Sequence, residues 1–260
     1  MTSPRPLIVA LPLDQETEDI LAEALDLGRL LARPLVVVHA LGDRALEHER
    51  GFEKRAERAR EKLEPHLQRL RSGGLTVTEE IAAGPAADLV IRAVHRLGAE
   101  LVVMGGGKPA TVRRWLVGSV AEAVVRRATV PVWIARGGPL GGRPVLCPVD
   151  LTPQSRLGLR AGLRVARLFR APLRVMTVVS DDGPLTADEA HEGVGALLAS
   201  QDTEGVAVDV EVLNSSRAGE RLHPGGLRHR PREAGPRGRS ARMPGDRGDD
   251  SRPHRGPLIA

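Results

Sequence analysis

Apolar residues in this chain come in short runs, separated by stretches with helical spacing. Leu7–Leu13 is one such run, consistent with a strand buried on both faces. After it, Ile20, Leu21, Ala24, Leu27, Leu30 and Leu31 recur three or four residues apart, which predicts a helix over Glu16–Leu31. Leu35–His39 is a second apolar run. Ala45–Arg71 is dense in charge and reads as a long exposed helix, with Pro65 as a point of disturbance. The alternation then continues through strand Leu75–Ile81, helix Ala87–Arg96, strand Leu101–Met104, helix Gly118–Arg127 and strand Val130–Ala135. Strands that alternate with helices build a parallel sheet covered on both faces. The expected fold class is α/β, an open, doubly wound sheet of five parallel strands.

The pattern then starts again. Val145–Val149, Gln154–Phe169 and Pro172–Val179 repeat strand, helix, strand, and Thr186–Ser200 and Val206–Leu213 read as a further helix and strand. Aligning Asp14 on Asp150 gives a repeat of 136 residues, the size of one domain. The expected organisation is one complete domain over 1–136, a Gly/Pro linker over 137–142, a truncated second copy over 143–213 and a tail over 214–260. More than half of the residues from Ser215 onward are Arg, Gly or Pro. Such a composition buries too little apolar surface to offset its ordering entropy, so the tail is expected to be disordered. That segment holds eleven Arg against five acids and no Lys, so the net charge of +5 belongs to it. A reading frame shifted after Leu213 in a GC-rich gene would give the same bias.

Two Phe, two Trp and no Tyr leave an aliphatic core, and the single Cys147 excludes an internal disulfide. Cys147 reads as a small packing residue and His39, at a strand end, as structural. No apolar run approaches the ~20 residues of a membrane span. The start of the chain lacks the pattern of a signal peptide, and a cytoplasmic location is expected.

Candidate chemistry concentrates in "VVMGGGKPATVRRWLVGS", Val102–Ser119. Glycines follow a strand and Gly118-Ser119 opens a helix, whose free N–H groups and dipole favour an anion. In open parallel sheets such a site lies at the carboxyl ends of the strands, where strand order reverses. With "LPLD" (Leu11–Asp14), "CPVD" (Cys147–Asp150), "VVVHA" (Val36–Ala40) and "AAGPAADLVIRAVHRLGAELVVMG" (Ala82–Gly105), this loop resembles the universal stress protein family. The resemblance implies a Rossmann-like domain that binds ATP through Gly-x-x-Gly, nine residues, then Gly-Ser. Gly105, Gly118 and Ser119 match, whereas Lys108 stands where the second glycine belongs and Gly107 is one residue early. The resemblance further implies Asp14 at the adenine or ribose, main-chain groups of Ala40 at the base and Ser119 at a phosphate.

The plainer readings are that Asp14 caps a helix, that Ser119 merely starts one, and that Arg113 and Arg114 face solvent. No Walker lysine-serine pair, metal-ligand spacing or catalytic base stands out, so a non-enzymatic module binding an adenine nucleotide is expected, with no metal and no catalytic residue. The alternative is an interaction protein without a nucleotide that acts by dimerisation. Strand Val130–Ala135 lies at a sheet edge, and an unpaired edge invites a homodimer or pairing with the second copy as an intramolecular pseudo-dimer. The tail lacks the interleaved aromatics of a single-strand binder, which argues against nucleic acid.

Overall fold

The computed structural model describes residues 4–42, 49–107, 118–138, 140–141, 143–180, 183–214 and 258–259. The chain divides into two compact units, one of residues 1–140 with 255–260 and one of residues 141–254.

Unit 1 runs β1 (Leu7–Ala10), α1 (Thr17–Leu31), β2 (Leu35–Ala40), α2 (Glu49–Ser72), β3 (Val77–Ala82), α3 (Ala86–Leu97), β4 (Leu101–Gly105), α4 (Ser119–Arg127) and β5 (Val132–Ala135). These five strands pair in parallel in the order β3-β2-β1-β4-β5. Strand order therefore reverses between β1 and β4, as expected of a doubly wound sheet. Every residue of β4 is buried, because this strand has a paired neighbour on each side and helices on both faces. Alternation along the strands sends Ile8, Val38, Val102, Met104, Val132 and Ile134 into one core with α3 and α4. The other face carries Leu7, Val9, Leu35, Val37 and Trp133, all buried toward α1 and α2.

Helix α2 corrects one expectation. Ala56, Ala59, Leu63, Leu67 and Leu70 form a buried stripe three or four residues apart, so the helix is amphipathic rather than wholly exposed. Its many charges hid that stripe, since two of the five positions are alanines. The proposed first four residues of that helix, 45–48, lie outside the described residues.

The edge beyond β5 is occupied. Leu258–Ile259 form a short strand, β9, antiparallel to β5, with Trp133 opposite Ile259 and Ile134 opposite Leu258. These two residues were expected in a disordered tail, and their strand is a correction. Val-Trp-Ile-Ala offers unpaired backbone groups that a short apolar segment can satisfy whatever the composition before it. Asn214, assigned to the tail as well, ends a strand of unit 2. Residues 215–257 lie outside the described residues.

Unit 2 holds β6 (Val145–Pro148), α5 (Ser155–Phe169), β7 (Leu173–Val179), α6 (Ala187–Ala199) and β8 (Val208–Asn214), with a parallel sheet in the order β6-β7-β8. Leu159, Leu163 and Ala166 of α5 and Val194 of α6 pack on Cys147, Leu173 and Val175. Burial pushes the Cys147 thiol up to about 11, which suits a packing residue. Among the described residues no helix is long and apolar enough to cross a membrane.

Among the described residues one carboxylate sits inside unit 1. Glu23, on α1, is 1% exposed. It accepts hydrogen bonds from Trp133 Nε1 at 2.5 Å, from the backbone N–H of Arg136 at 3.0 Å and from that of Gly137 at 2.8 Å. Burial outweighs these three donors and raises its pKa above the ordinary value. Glu23→Ala strands the three donors, so it should cost unit 1 roughly 2–4 kcal/mol in urea unfolding followed by tryptophan fluorescence. Because the folded pKa is raised, unfolding releases a proton in the window just above the ordinary carboxylate pKa. Wild-type stability should fall as pH rises through that window, and Glu23→Gln should flatten the dependence.

Candidate functional site

The two units contain the same turn between first strand and first helix. Leu7 pairs with Leu35 in unit 1, and Val145 pairs with Leu173 in unit 2. Leu11 N–H donates to Val38 O in one, and Val149 N–H to Met176 O in the other. Leu13 has φ of 60° and Leu151 has φ of 63°; Ala32 and Arg170 close the two helices at 52° and 50°. All these pairs are 138 residues apart. The expected repeat of 136 is thus displaced by two, because matching Asp to Asp overrode the backbone register. Asp150 corresponds to Pro12, Thr152 to Asp14 and Ser155 to Thr17.

That shift changes the chemistry of the turn. In unit 2, Asp150 Oδ1 accepts from Thr152 N, Thr152 Oγ1 and Ser155 Oγ at 3.1, 2.7 and 2.6 Å, while Asp150 N–H donates to Ser155 Oγ at 3.0 Å. The Ser155 and Thr152 hydrogen bonds hold the Asp150 carboxyl down at about 2. In unit 1, Pro12 has neither a carboxylate nor an N–H to offer. Thr17 is 4% exposed, and its Oγ1 has no partner among the described residues.

Asp14 stands two residues further on, exposed. Its Oδ1 accepts the Glu16 N–H at 2.9 Å and its carbonyl accepts the Thr17 N–H at 3.1 Å, so it braces the loop. It does not cap α1 in the usual sense: Glu16 is the N-cap by position, and no side chain caps the helix. Asp14 also lines an open groove with Leu13, Thr17, Glu18, Lys62 and His66. Ala40 ends β2 opposite Ala82. His39 Nδ1 donates to Leu11 O at 2.7 Å, tying the end of β2 to the loop after β1, a structural role.

The glycines come together. Gly105 ends β4, opposite Ala135. Gly118 N–H donates to Gly106 O at 2.6 Å, and Gly118 Cα lies 3.2 Å from where a Cβ on Gly107 would stand. Gly107 has φ of 70°, the left-handed region that favours glycine. Lys108 and the Arg113–Arg114 pair lie outside the described residues. Ser119 is exposed as the first residue of α4, behind Gly118 as N-cap. Among the described residues no side chain caps α4, whose first-turn N–H groups follow directly on Gly118.

Two further residues belong to this neck. Glu16 Oε2 accepts the Gly107 N–H at 3.0 Å. The Arg136 guanidinium covers Gly106, 2.8 Å from where a Cβ would be. Neither was singled out from the sequence. A charged residue just before a helix or just after a strand has no periodicity to mark it. Among the described residues no three His, Cys, Asp or Glu side chains gather as a metal site would require.

Comparison with known proteins agrees with this architecture. The sequence profile of the universal stress protein family matches residues 4–136, just over half of the chain. A universal stress protein from Archaeoglobus fulgidus DSM 4304 superposes with a TM-score of 0.63 at 21% identity, covering 84% of either chain. A putative universal stress protein from Pseudomonas aeruginosa UCBPP-PA14 gives 0.56 at 17% identity, over 81% of this chain and 74% of that one. The functionally unknown protein PA1789 of P. aeruginosa PAO1 gives 0.56 at 18%, over 80% and 74%. Among curated proteins nothing matches.

The unequal turns make opposite predictions. Thr17→Val removes an unsatisfied buried hydroxyl and should leave unit 1 as stable or up to about 1 kcal/mol more stable. Ser155→Ala should cost unit 2 about 1–2 kcal/mol, read from amide exchange in α5. The depressed Asp150 pKa adds stability that is present above the ordinary Asp range and lost as pH falls toward about 2. Exchange protection of α5 should fall in that window in the wild type and not in Asp150→Asn.

Proposed function

This chain belongs to the universal stress protein family, and from that premise we propose that unit 1 binds an adenine nucleoside or nucleotide, ATP being the form the family pattern implies, without turning it over. The observation that carries the reading is the neck of Gly105, Gly106, Gly107 and Gly118 at the carboxyl end of β4. There the backbones of Gly107 and Gly118 approach within contact at the start of α4, whose first turn no described side chain caps. The neck lies where strand order reverses, the usual ligand position of an open parallel sheet. In this reading Gly105, Gly118 and Ser119 border the phosphate end, while Asp14 and the main chain of Ala40 border the sugar and base. Lys108 flanks the phosphates, either obstructing them or pairing with them. Unit 2 repeats the first half of the same design, in the manner of a truncated tandem copy, and contributes structure rather than a second nucleotide site.

A second reading has one observation in its favour. Strand β5 already pairs with Leu258–Ile259, so β5 is an edge that accepts a strand. Dimerisation through β5 would require those residues to leave.

Both readings are testable on the full chain. Titration calorimetry with adenosine and ATP should show a 1:1 complex in the wild type with at least one of them. Ser119→Ala should weaken ATP by roughly tenfold, about 1.4 kcal/mol, and leave adenosine nearly unchanged. Lys108→Gly should strengthen ATP binding, since a glycine there admits closer backbone approach. If neither ligand binds below millimolar concentration, the nucleotide reading is wrong. Deleting residues 255–260 should increase the dimer fraction in light scattering at a fixed concentration; an unchanged fraction removes the β5 reading.

A further inference from the structure

The backbone just beyond β4, at Gly107, already holds an anion, and it is part of the chain. The Glu16 carboxylate lies directly over Gly105: a Cβ built there would stand 2.3 Å from Oε2 and 3.1 Å from Cδ. Gly105 does not have positive φ. The glycine leaves open the space that the carboxylate fills, and a side chain there would displace the carboxylate. From that position Oε2 accepts the Gly107 N–H at 3.0 Å.

The carboxylate is held by its backbone. Glu16 N–H donates to Asp14 Oδ1 at 2.9 Å, and Glu16 O accepts from Ile20 N at 3.0 Å as α1 begins. Its side chain caps nothing. The carboxyl is thus free to rotate away without unwinding α1. Gln154, the residue 138 positions on, is the uncharged analogue in unit 2, where no glycine loop follows.

We infer that Glu16 is a built-in competitor for the anion position of unit 1, so that the resting site discriminates against ligands carrying phosphate. The inference rests on the nucleotide reading only for the identity of the ligand. Two anions cannot share the Gly107 N–H at hydrogen-bond distance. In a partly buried crevice their repulsion is poorly screened. A phosphate therefore enters only when Glu16 rotates out, and it faces the negative charge even then. A neutral nucleoside meets neither obstacle. The ligand class favoured by the resting unit is accordingly a nucleoside or another adenine compound of low charge, and polyphosphates are selected against.

The test uses the anion without the base. Inorganic triphosphate is titrated into full-length wild type, Glu16→Gln and Glu16→Ala while the backbone amides of Gly107 and Gly118 are followed by NMR. Core amides of β1 and β4 report that each variant is folded. Glu16→Ala should bind triphosphate at least tenfold tighter than wild type, with Glu16→Gln between them because its amide keeps the shape and loses the charge. The Gly107 N–H should exchange faster in Glu16→Ala before any ligand is added. Equal triphosphate affinity in all three proteins, or none in any, overturns the inference. Adenosine is titrated in parallel into the wild type, as a separate reading of the nucleoside site. If triphosphate follows the expected order and adenosine fails to bind, the competitor stands and the nucleoside reading falls.

Discussion

Unit 1 depends on one buried carboxylate with three donors. Glu23 joins the middle of α1 to the far end of β5 by taking the indole N–H of Trp133 and two successive backbone N–H groups beyond the strand. A buried charge is tolerated only when such donors surround it, and removing either side leaves the other unpaired. The geometry of the neck follows from this bond set. Helix α1 is fixed in depth against the sheet, so Glu16, at its start, is carried to Gly105. The backbone leaving β5 is fixed too, so Arg136 is set against Gly106. The two residues that shape the neck are thus placed through a third, which bonds the backbone of Arg136 directly.

Most of the architecture was legible because it obeys one rule per element. Strands β1, β4 and β5 are uninterrupted apolar runs, as strands buried on both faces must be, and α1, α3 and α4 carry clean stripes. What failed did so where two signals competed. In α2 charge masked the alanine positions of its buried face. In the repeat, the likeness of Leu-Pro-Leu-Asp to Cys-Pro-Val-Asp drew the alignment two residues from the true register, which the positive φ of Leu13 and Leu151 reveals. The glycines of the candidate site stand out in the sequence, three in a row after a strand and one just before a helix. Glu16, Arg136 and Glu23 could not, because their partners are backbone atoms distant in sequence and leave no trace in composition.

The two turns show how one backbone supports different chemistry. Around Asp150 a carboxylate, two hydroxyls and two backbone amides satisfy one another. In unit 1 the same path runs through Pro12, whose ring supplies rigidity in place of that network. The loop keeps its shape, and the burden of bracing it passes to Asp14, which has left its own carboxylate on the outer side of the turn beside Lys62 and His66. Negative charge in unit 1 has therefore moved from the position of Asp150 to Asp14 and Glu16. The character of the crevice changes although no strand or helix does.

The pairing of β5 with β9 also has a meaning in time. The last residue of β5 is Ala135 and the first of β9 is Leu258, so 123 residues separate the making of the edge from the making of its cover. At a synthesis rate of about 5–20 residues per second that interval is roughly 6–25 s, far longer than a domain of this kind needs to fold. Each newly made molecule thus passes through a stage in which the parallel sheet is complete and its Val-Trp-Ile-Ala rim is open. That stage ends only when Leu258 and Ile259 pair with β5 from within the same chain.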